Sequence, residues 1–592
     1  MSDPGTIIAA VTIAYGTAIT AWKSFQDALD YNDQSADLVV RLEVERFRFQ
    51  TWGKNVGLNT GTFDKNLYPI HTLIVERLDR IYKLFEVARN IKNSFGLDIS
   101  EATQIRPDRV HSIISGMAAS IRSIGIKLDM EGKPNDPAGF SRRVRWALTS
   151  KSKFSDLVAK LESHISKLNE LLTETQKRSL NNDWEKINIV IIGNVPEEQI
   201  EFVQQAFGQQ IQNGPPNAYV HMDSLLQKKA LKKPGFIPSR AAARSLERRR
   251  LDEFELPENY STLNRFLARA KPTAAASTLG PDIFYLEKKE YHRDISLQEK
   301  TALKSRLDRL ILLLSSSKSE EFRVCRAVGY CEDVASFCWW LIFRFPCSLE
   351  EERFFEQRSC IPLNLNILFS LKFKPALEQR FELALNIAKT MAELYSSGWM
   401  HKGIRSENVL FPTFYNQQIR NSKEKLVGPL NPYIAGFEYS RQDSEAATID
   451  KGRQLGGIDA AIYRHPSYQG EAASGYKVQY DIYSFGLVLV EIAFWVPLIS
   501  ILDAKPLRET YGVQLSSKTT HFHEKEALEL RDRVLYRVEN EMAFRVGSKL
   551  RDAVRWCLTY SESSDEDDWH PALGFHNNVI VPLEMCSALG EI

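Results

Sequence analysis

His401-Lys402-Gly403-Ile404-Arg405-Ser406-Glu407-Asn408-Val409-Leu410 decides the reading of the C-terminal half. It sets a histidine, a glycine and an asparagine in a short polar stretch between two apolar ones. Before it, Leu377 to Ser397 is helical in character and ends in Leu394-Tyr395-Ser396-Ser397-Gly398-Trp399. After it come Ile434-Ala435-Gly436-Phe437-Glu438, then Tyr463-Arg464-His465-Pro466-Ser467-Tyr468. Next, Asp481-Ile482-Tyr483-Ser484-Phe485-Gly486 opens a long apolar helix. Upstream, the pattern predicts a strand at Ile283 to Leu286, a helix at Leu297 to Leu314, and strands around Phe322 to Tyr330 and Cys338 to Phe345. A small sheet with one helix, followed by a larger helical lobe, is a bilobal α+β arrangement.

Position by position, the loop at 401–410 resembles the protein-kinase catalytic loop, His-Arg-Asp-Leu-x-x-x-Asn. Gly436-Phe437-Glu438 stands in the place of the metal-binding Asp-Phe-Gly, Tyr463 to Tyr468 is similar to the end of an activation segment, and Asp481 to Gly486 is similar to the start of the large lobe's buried helix. The resemblance implies a protein-kinase-like domain over 281–592. Phosphoryl transfer needs one carboxylate to orient the substrate hydroxyl and another to hold magnesium. Those two positions carry Gly403 and Gly436, and only Gly280 precedes the first strand, where a glycine-rich phosphate loop would lie. The chain therefore reads as a pseudokinase without catalytic residues. His401, Gly403, Arg405 and Asn408 are degenerate loop positions, and Gly436, Phe437 and Glu438 leave no metal site. Asn408 survives as a metal-ligand type. Lys289 is the candidate strand lysine, with a solvated strand end as its other reading, so ATP binding without turnover is the cofactor expectation. Glu299 is the early helix candidate for a partner glutamate. Pro466, His401 and Asp481 have structural duties, Asp481 by tying down the loop backbone.

A chain of 592 residues exceeds one core and implies two or three domains. With 76 basic and 75 acidic side chains, nothing global attracts nucleic acid. Of seven cysteines, Cys325, Cys331, Cys338, Cys347 and Cys360 cluster without a Cys-x-x-Cys pair, which reads as buried thiols in a reducing, cytoplasmic setting.

The first 180 residues carry helical periodicity, as in Leu67, Ile70, Leu73, Ile74, Leu78, Ile81, Leu84 and Phe85, and predict an all-α bundle. Similar stripes run through Val39 to Trp52, Val110 to Ile126 and Phe154 to Leu172, with a joint at Gly132 to Pro137. Pro4 to Trp22 is uncharged, and as a helix it reaches about 28 Å, enough to approach a bilayer span. Gly5, Thr6, Thr12, Gly16, Thr17 and Thr20 dilute it, so three readings stand: a core helix, a helix buried at rest that enters a membrane, and a permanent span. Ile7, Ile8, Val11, Ile13, Tyr15, Ile19 and Trp22 would carry membrane contact. Ile187 to Gly193 predicts a buried strand, Glu198 to Gln210 a helix, and the Lys/Arg-rich Gln227 to Arg250 a solvated linker or an electrostatic contact. The expected domains are 1–185, a connector over 186–280, and 281–592.

Leu42-Glu43-Val44-Glu45-Arg46-Phe47-Arg48-Phe49-Gln50-Thr51-Trp52-Gly53-Lys54-Asn55-Val56-Gly57-Leu58, following the uncharged segment, resembles the HeLo domain of fungal prion-inhibition and incompatibility proteins. Arg143-Val144-Arg145-Trp146-Ala147-Leu148, with Phe154 and Leu157, resembles that domain's penultimate helix. The resemblance implies a helical bundle whose N-terminal helix can damage membranes. Combined with the C-terminal half, it suggests a signalling or cell-death protein whose dead kinase-like domain regulates the bundle. The expected partners are anionic lipid and other proteins or a second copy, with cytoplasmic protein recruited to the plasma membrane. A non-catalytic scaffold and an atypical Ser/Thr kinase using Glu407 or Glu438 remain as alternatives.

Overall fold

The computed structural model describes residues 3–30, 35–90, 95, 97–100, 114–115, 118, 122, 145–148, 150–208, 219–232, 247–248, 250–271, 283–315, 321–348, 352, 355, 361–414, 430–437, 457–469, 476–503, 511–517, 522–561 and 570–588. The chain divides into two compact units, 1–227 and 228–592.

In the N-terminal unit, helix α1 (Pro4–Ala28) starts where the Asp3 carboxylate accepts the Gly5 and Thr6 amides at 3.1 and 3.3 Å, with Pro4 at the first helical position. Its buried Ile7, Val11, Tyr15, Ala18, Trp22 and Phe25 recur every three or four residues, so they form one stripe. That stripe meets α3 (His71–Asn90), whose Ile74, Leu78, Ile81 and Phe85 have the same spacing. Helix α2 (Ala36–Asn55) is central: it packs against α4 (Lys151–Glu170), α5 (Glu174–Asn194) and α6 (Ile200–Gly208), and 17 of its 20 residues are buried.

A helix surrounded on every side must bury its charges, and each charge on α2 has a partner, as desolvation demands. Arg48 donates to Glu45 at 3.0 Å, Arg41 to Glu162 at 3.1 Å, and Lys151 pairs with Asp37 at 2.8 Å. Glu43 takes both Arg46 and the Gln26 amide. A small sheet adds β1 (Leu29–Asp30), β2 (Leu97–Ser100) and β3 (Arg145–Leu148), with β3 in the middle.

Two expectations fail here. Arg145 to Leu148 is a strand laddered on both sides, and the helix begins only at Lys151, so Phe154 and Leu157 belong to α4. Ile187 to Gly193 is the last part of α5 rather than a strand. A capping box between Thr173 and Gln176 starts this helix well upstream, and Ile187 and Ile189 to Ile192 are buried all round, so the run has no alternation to betray a helix. Gly132 to Pro137 and nearly all of Val110 to Ile126 lie outside the described residues.

The C-terminal unit opens with a six-stranded sheet in the order β4 (Glu247–Arg248), β8 (Ala327–Asp333), β9 (Cys338–Arg344), β7 (Ile283–Glu290), β6 (Arg265–Ala270), β5 (Phe254–Glu255). Neighbours are antiparallel except β4 and β8. Strands β5 and β6 come from the stretch read as a connector, so this sheet begins upstream of residue 281. One face packs Phe266, Phe284, Leu286, Trp340 and Ile342 into a core. A single helix, α8 (Leu297–Ser315), joins β7 to β8 and buries Leu307, Leu310, Ile311, Leu313 and Leu314.

Helices dominate the rest. Among them are α9 (Leu377–Ser396), α10 (Val478–Phe494), α11 (Glu524–Arg537) and α12 (Ala543–Thr559), with α10 buried along nearly its whole length. A three-stranded sheet of β10 (Pro362–Asn364), β11 (Val409–Phe414) and β12 (Tyr433–Ile434) carries the loops discussed next. The basic stretch is not wholly solvated. Lys228, in the last turn of α7 (Tyr219–Ala230), is buried against the Glu393 carboxylate and the Phe322 ring, and its carbonyl accepts the Trp399 indole N–H at 2.9 Å. Cys325, Cys331, Cys338, Cys347, Cys557 and Cys586 are free and buried, and Cys360 lies outside the described residues.

Candidate functional site

Helix α9 delivers the 401–410 loop. It stops because Gly398 takes φ +73°, letting the Gly398 and Trp399 amides return to Tyr395 O and Leu394 O at 3.0 and 2.8 Å. The chain then enters the loop through buried Trp399 and Met400. Asp481, in the first turn of α10, accepts the His401 and Lys402 amides at 2.5 and 2.7 Å and the Tyr476 hydroxyl at 2.7 Å. Burial pushes its carboxyl up to about 6 against the pull of those donors.

His401 is fully buried. Its Nε2–H donates to Ala435 O at 2.9 Å and its Nδ1 accepts the Gly403 amide at 3.2 Å, which fixes one neutral tautomer. Burial lowers its pKa to about 3, the Ala435 hydrogen bond opposes that shift, and the Arg405 and Arg265 cations add to it. The ring packs on buried Phe437 with centroids 4.5 Å apart and planes tilted by 57°, so histidine and phenylalanine brace one another.

The two glycines are not equivalent. Gly436 has φ +85°, and a Cβ there would lie 2.1 Å from Asn408 Nδ2 and 2.4 Å from its Cγ. No side chain fits without expelling Asn408. Gly403 is not among the glycines with positive φ.

Asn408 itself is committed: its Nδ2 donates to Gly403 O, while its Oδ1 accepts from the Arg265 guanidinium at 2.7 Å. Arg265 also reaches Glu407 O at 3.3 Å, and Arg405 Nε pairs with Glu407 at 3.1 Å. Sequence reasoning missed Arg265 and Glu287. They stand directly opposite one another across β6 and β7, and buried Glu287 accepts the Gly436 amide at 3.1 Å. Strand alternation places Tyr285, Glu287 and Lys289 on that face and Phe284, Leu286 and Lys288 on the other. Their role appears only when β6 and β7 pair in register, which neither strand's sequence shows by itself.

Lys289 thus shares the face of Glu287, two residues further along the strand. Lys288 donates to Ser261 O at 2.9 Å and pairs with Glu290 at 3.3 Å. Glu299 is exposed and caps its own helix, accepting the Ser296 amide and hydroxyl at 3.0 and 2.7 Å, so it does not reach the loop. Pro466 is buried at the start of a single 3-10 turn. Glu438 lies outside the described residues.

A second place of interest is the seat of α1. Tyr15 is buried between Phe49 and Trp52, with ring centroids 5.0 and 6.2 Å away. It fits because residue 53 is glycine: a Cβ there would stand 2.3 Å from the Tyr15 hydroxyl. Trp22 packs on Phe49 and Phe85, and Phe25 on Phe85. The opposite face is exposed, with Ile13 67% accessible and Ala9 and Ala10 beside it, while Ile8 is partly covered. Among the described residues, Pro4–Gln26 is the stretch long and apolar enough, by length and composition, to cross a membrane.

No curated protein matches the chain. Residues 5–197, the span that holds α1 to α5 and the Tyr15 seat, match the HeLo family model, described as prion-inhibition and propagation.

Proposed function

We propose that this protein acts in fungal cell death or incompatibility, with the N-terminal bundle as its membrane-directed part and a kinase-like C-terminal unit as its regulator. The observation that carries the first half is α1, an uncharged helix of spanning length that keeps one side buried, with Tyr15 between Phe49 and Trp52 of α2 and with Trp22 and Phe25 on Phe85 of α3, and turns small and apolar residues outward. A helix with that balance can exchange a protein seat for a lipid one at modest cost. The match of residues 5–197 to the HeLo family supports the same reading.

The regulatory half is supported by the C-terminal unit's chemistry. Its sheet with one helix, the loop anchored on Asp481 and the packing of His401 on Phe437 agree with a bilobal kinase-like fold. The carboxylates of phosphoryl transfer are absent at Gly403 and Gly436, and at Gly436 none could be housed. Such a unit binds and restrains and does not phosphorylate. In this reading the protein waits in the cytoplasm and moves to the anionic plasma membrane when α1 is released, alone or with further copies.

The test is dye release from vesicles containing phosphatidylserine. Residues 1–227 should permeabilise them at concentrations where the full chain does not. Equal inactivity of both would remove the membrane role, and a scaffold function would then stand. Autophosphorylation lost in Lys289→Met would overturn the non-catalytic reading.

A further inference from the structure

We infer that Arg265 is the resident cation of the C-terminal unit, its guanidinium standing on the Asn408 side chain where a divalent cation would otherwise sit, so that the unit's loops are held without metal. The inference rests on the kinase-like reading of the loop, which makes Asn408 a metal-ligand type, but the geometry is independent of it.

Asn408 offers one carbonyl oxygen, and Arg265 donates to it at 2.7 Å while also donating to the Glu407 backbone at 3.3 Å. Its amide nitrogen is spent on Gly403 O, which fixes which end faces the guanidinium. On the far side, Glu287 sits opposite Arg265 in the strand register and accepts the Gly436 amide at 3.1 Å. An acid, a cation and an amide therefore bridge strands β6 and β7, the 401–410 loop and the 434–437 segment. A metal bound between an Asp and an Asn would hold the last two of these parts together.

The substitutions support one another. With glycine at 436 the second metal-binding carboxylate is gone, and its absence leaves room for the Asn408 side chain, which any Cβ at 436 would strike. One guanidinium nitrogen of Arg265 satisfies the Asn408 side-chain oxygen and the Glu407 backbone oxygen together, held in place by a rigid planar frame that a lysine ammonium on its flexible stem lacks. A divalent ion approaching Asn408 Oδ1 would meet this fixed positive charge at close range, with the Arg405 cation also nearby.

The experiment uses the full chain and follows thermal unfolding with ATP, with Mg2+ or Mn2+ chloride, with both, and in EDTA. The wild type should melt within about 1 °C in MgCl2 and in EDTA, and any response to ATP should be the same in both. Arg265→Ala and Asn408→Ala should each lower the melting temperature, and the double variant should fall hardly further than the worse single one, because the pair acts as a unit. Arg265→Lys, which keeps the charge, serves if Arg265→Ala does not fold, and should melt below the wild type while remaining indifferent to metal. A metal-dependent ATP response in the wild type overturns the inference, as does strict additivity of the two alanine variants. A phosphotransfer assay run alongside tells those failures apart from failure of the kinase-like reading, since only transferred phosphate would sink the latter.

Discussion

Gly53→Ala separates the hold on α1 from the stability of the bundle. The new Cβ would lie 2.3 Å from Tyr15 Oη and 2.4 Å from Cζ, whereas carbon contacts settle at about 3.5 Å, so something must move by about 1 Å. Tyr15 is 1% exposed and wedged between Phe49 and Trp52, so its ring cannot swing aside. The part free to move is α1, whose other face is exposed. Overpacking of this kind costs about 1–3 kcal/mol, and so severe a clash belongs near the top of that range. The same substitution gains about 1 kcal/mol for α2, because alanine is the better helix residue. These two terms act on different equilibria: the helix gain persists when α1 leaves, and the clash disappears. Opening of α1 should therefore become easier by about 2–3 kcal/mol, roughly 30- to 150-fold, while global stability falls by only about 1–2 kcal/mol. Native-state hydrogen exchange reads this directly, with α1 amides accelerating by that factor and α2 amides changing far less. Vesicle leakage should rise in step. Unchanged α1 exchange, or equal acceleration of α1 and α2, would refute the seat as the hold on α1.

Restoring carboxylates with Gly403→Asp and Gly436→Asp together should give no phosphate transfer in a radiolabelled ATP assay and a lower melting temperature. The new side chain at position 436 would cost about 1–3 kcal/mol in overpacking, with a further 1–2 kcal/mol, roughly, for its left-handed backbone. Lys228→Met strips the ammonium from the buried Glu393 carboxylate and should cost about 3–5 kcal/mol in urea unfolding, with Glu393→Gln added to it recovering part. Burial pushes the Glu491 carboxyl up to about 8 despite donors from Leu498, Tyr463 and Ser406. The folded state therefore keeps a proton that the unfolded chain gives up near the ordinary carboxylate value, and stability falls as pH rises from there to about 8. Glu491→Gln should flatten that slope by roughly 1.4 kcal/mol per pH unit, measured as unfolding free energy across pH 5 to 9.

Much of the fold was readable from local pattern. The stripes at Leu67 to Phe85 and Phe154 to Leu172 predicted helices that formed, because one face of each is buried and the other solvated. Ile187 to Gly193 was misread for the opposite reason, since α5 is buried on all sides there and period carries no information. The loop landmarks were legible because they are contiguous. His401, Asn408 and Gly436 could be found by position, and Asp481's duty to the loop backbone follows from its place at the head of α10. Arg265 and Glu287 were not legible, since they act only once β6 and β7 pair in register, and nothing in either strand alone marks them. Lys289 was favoured because the expected chemistry calls for a lysine, yet the residue on that strand that accepts from the 436 amide is Glu287.

Gly403 and Gly436 have different physical standing, and the difference bears on how the C-terminal unit is built. Gly403 is not among the glycines with positive φ, so its backbone does not by itself demand glycine. Gly436 combines positive φ with a neighbour inside van der Waals contact, so the surrounding atoms have closed over the space a carboxylate would need. Asn408 fills that space and faces Arg265, and Arg265 faces Glu287. Three residues are thus packed around position 436, so a side chain there would disturb all of them together. The 401–410 and 434–437 segments are thus tied to the paired strands β6 and β7 by Arg265 on Asn408 and by Glu287 on the Gly436 amide, so a substitution at any one of these residues should loosen the loops and not the sheet alone.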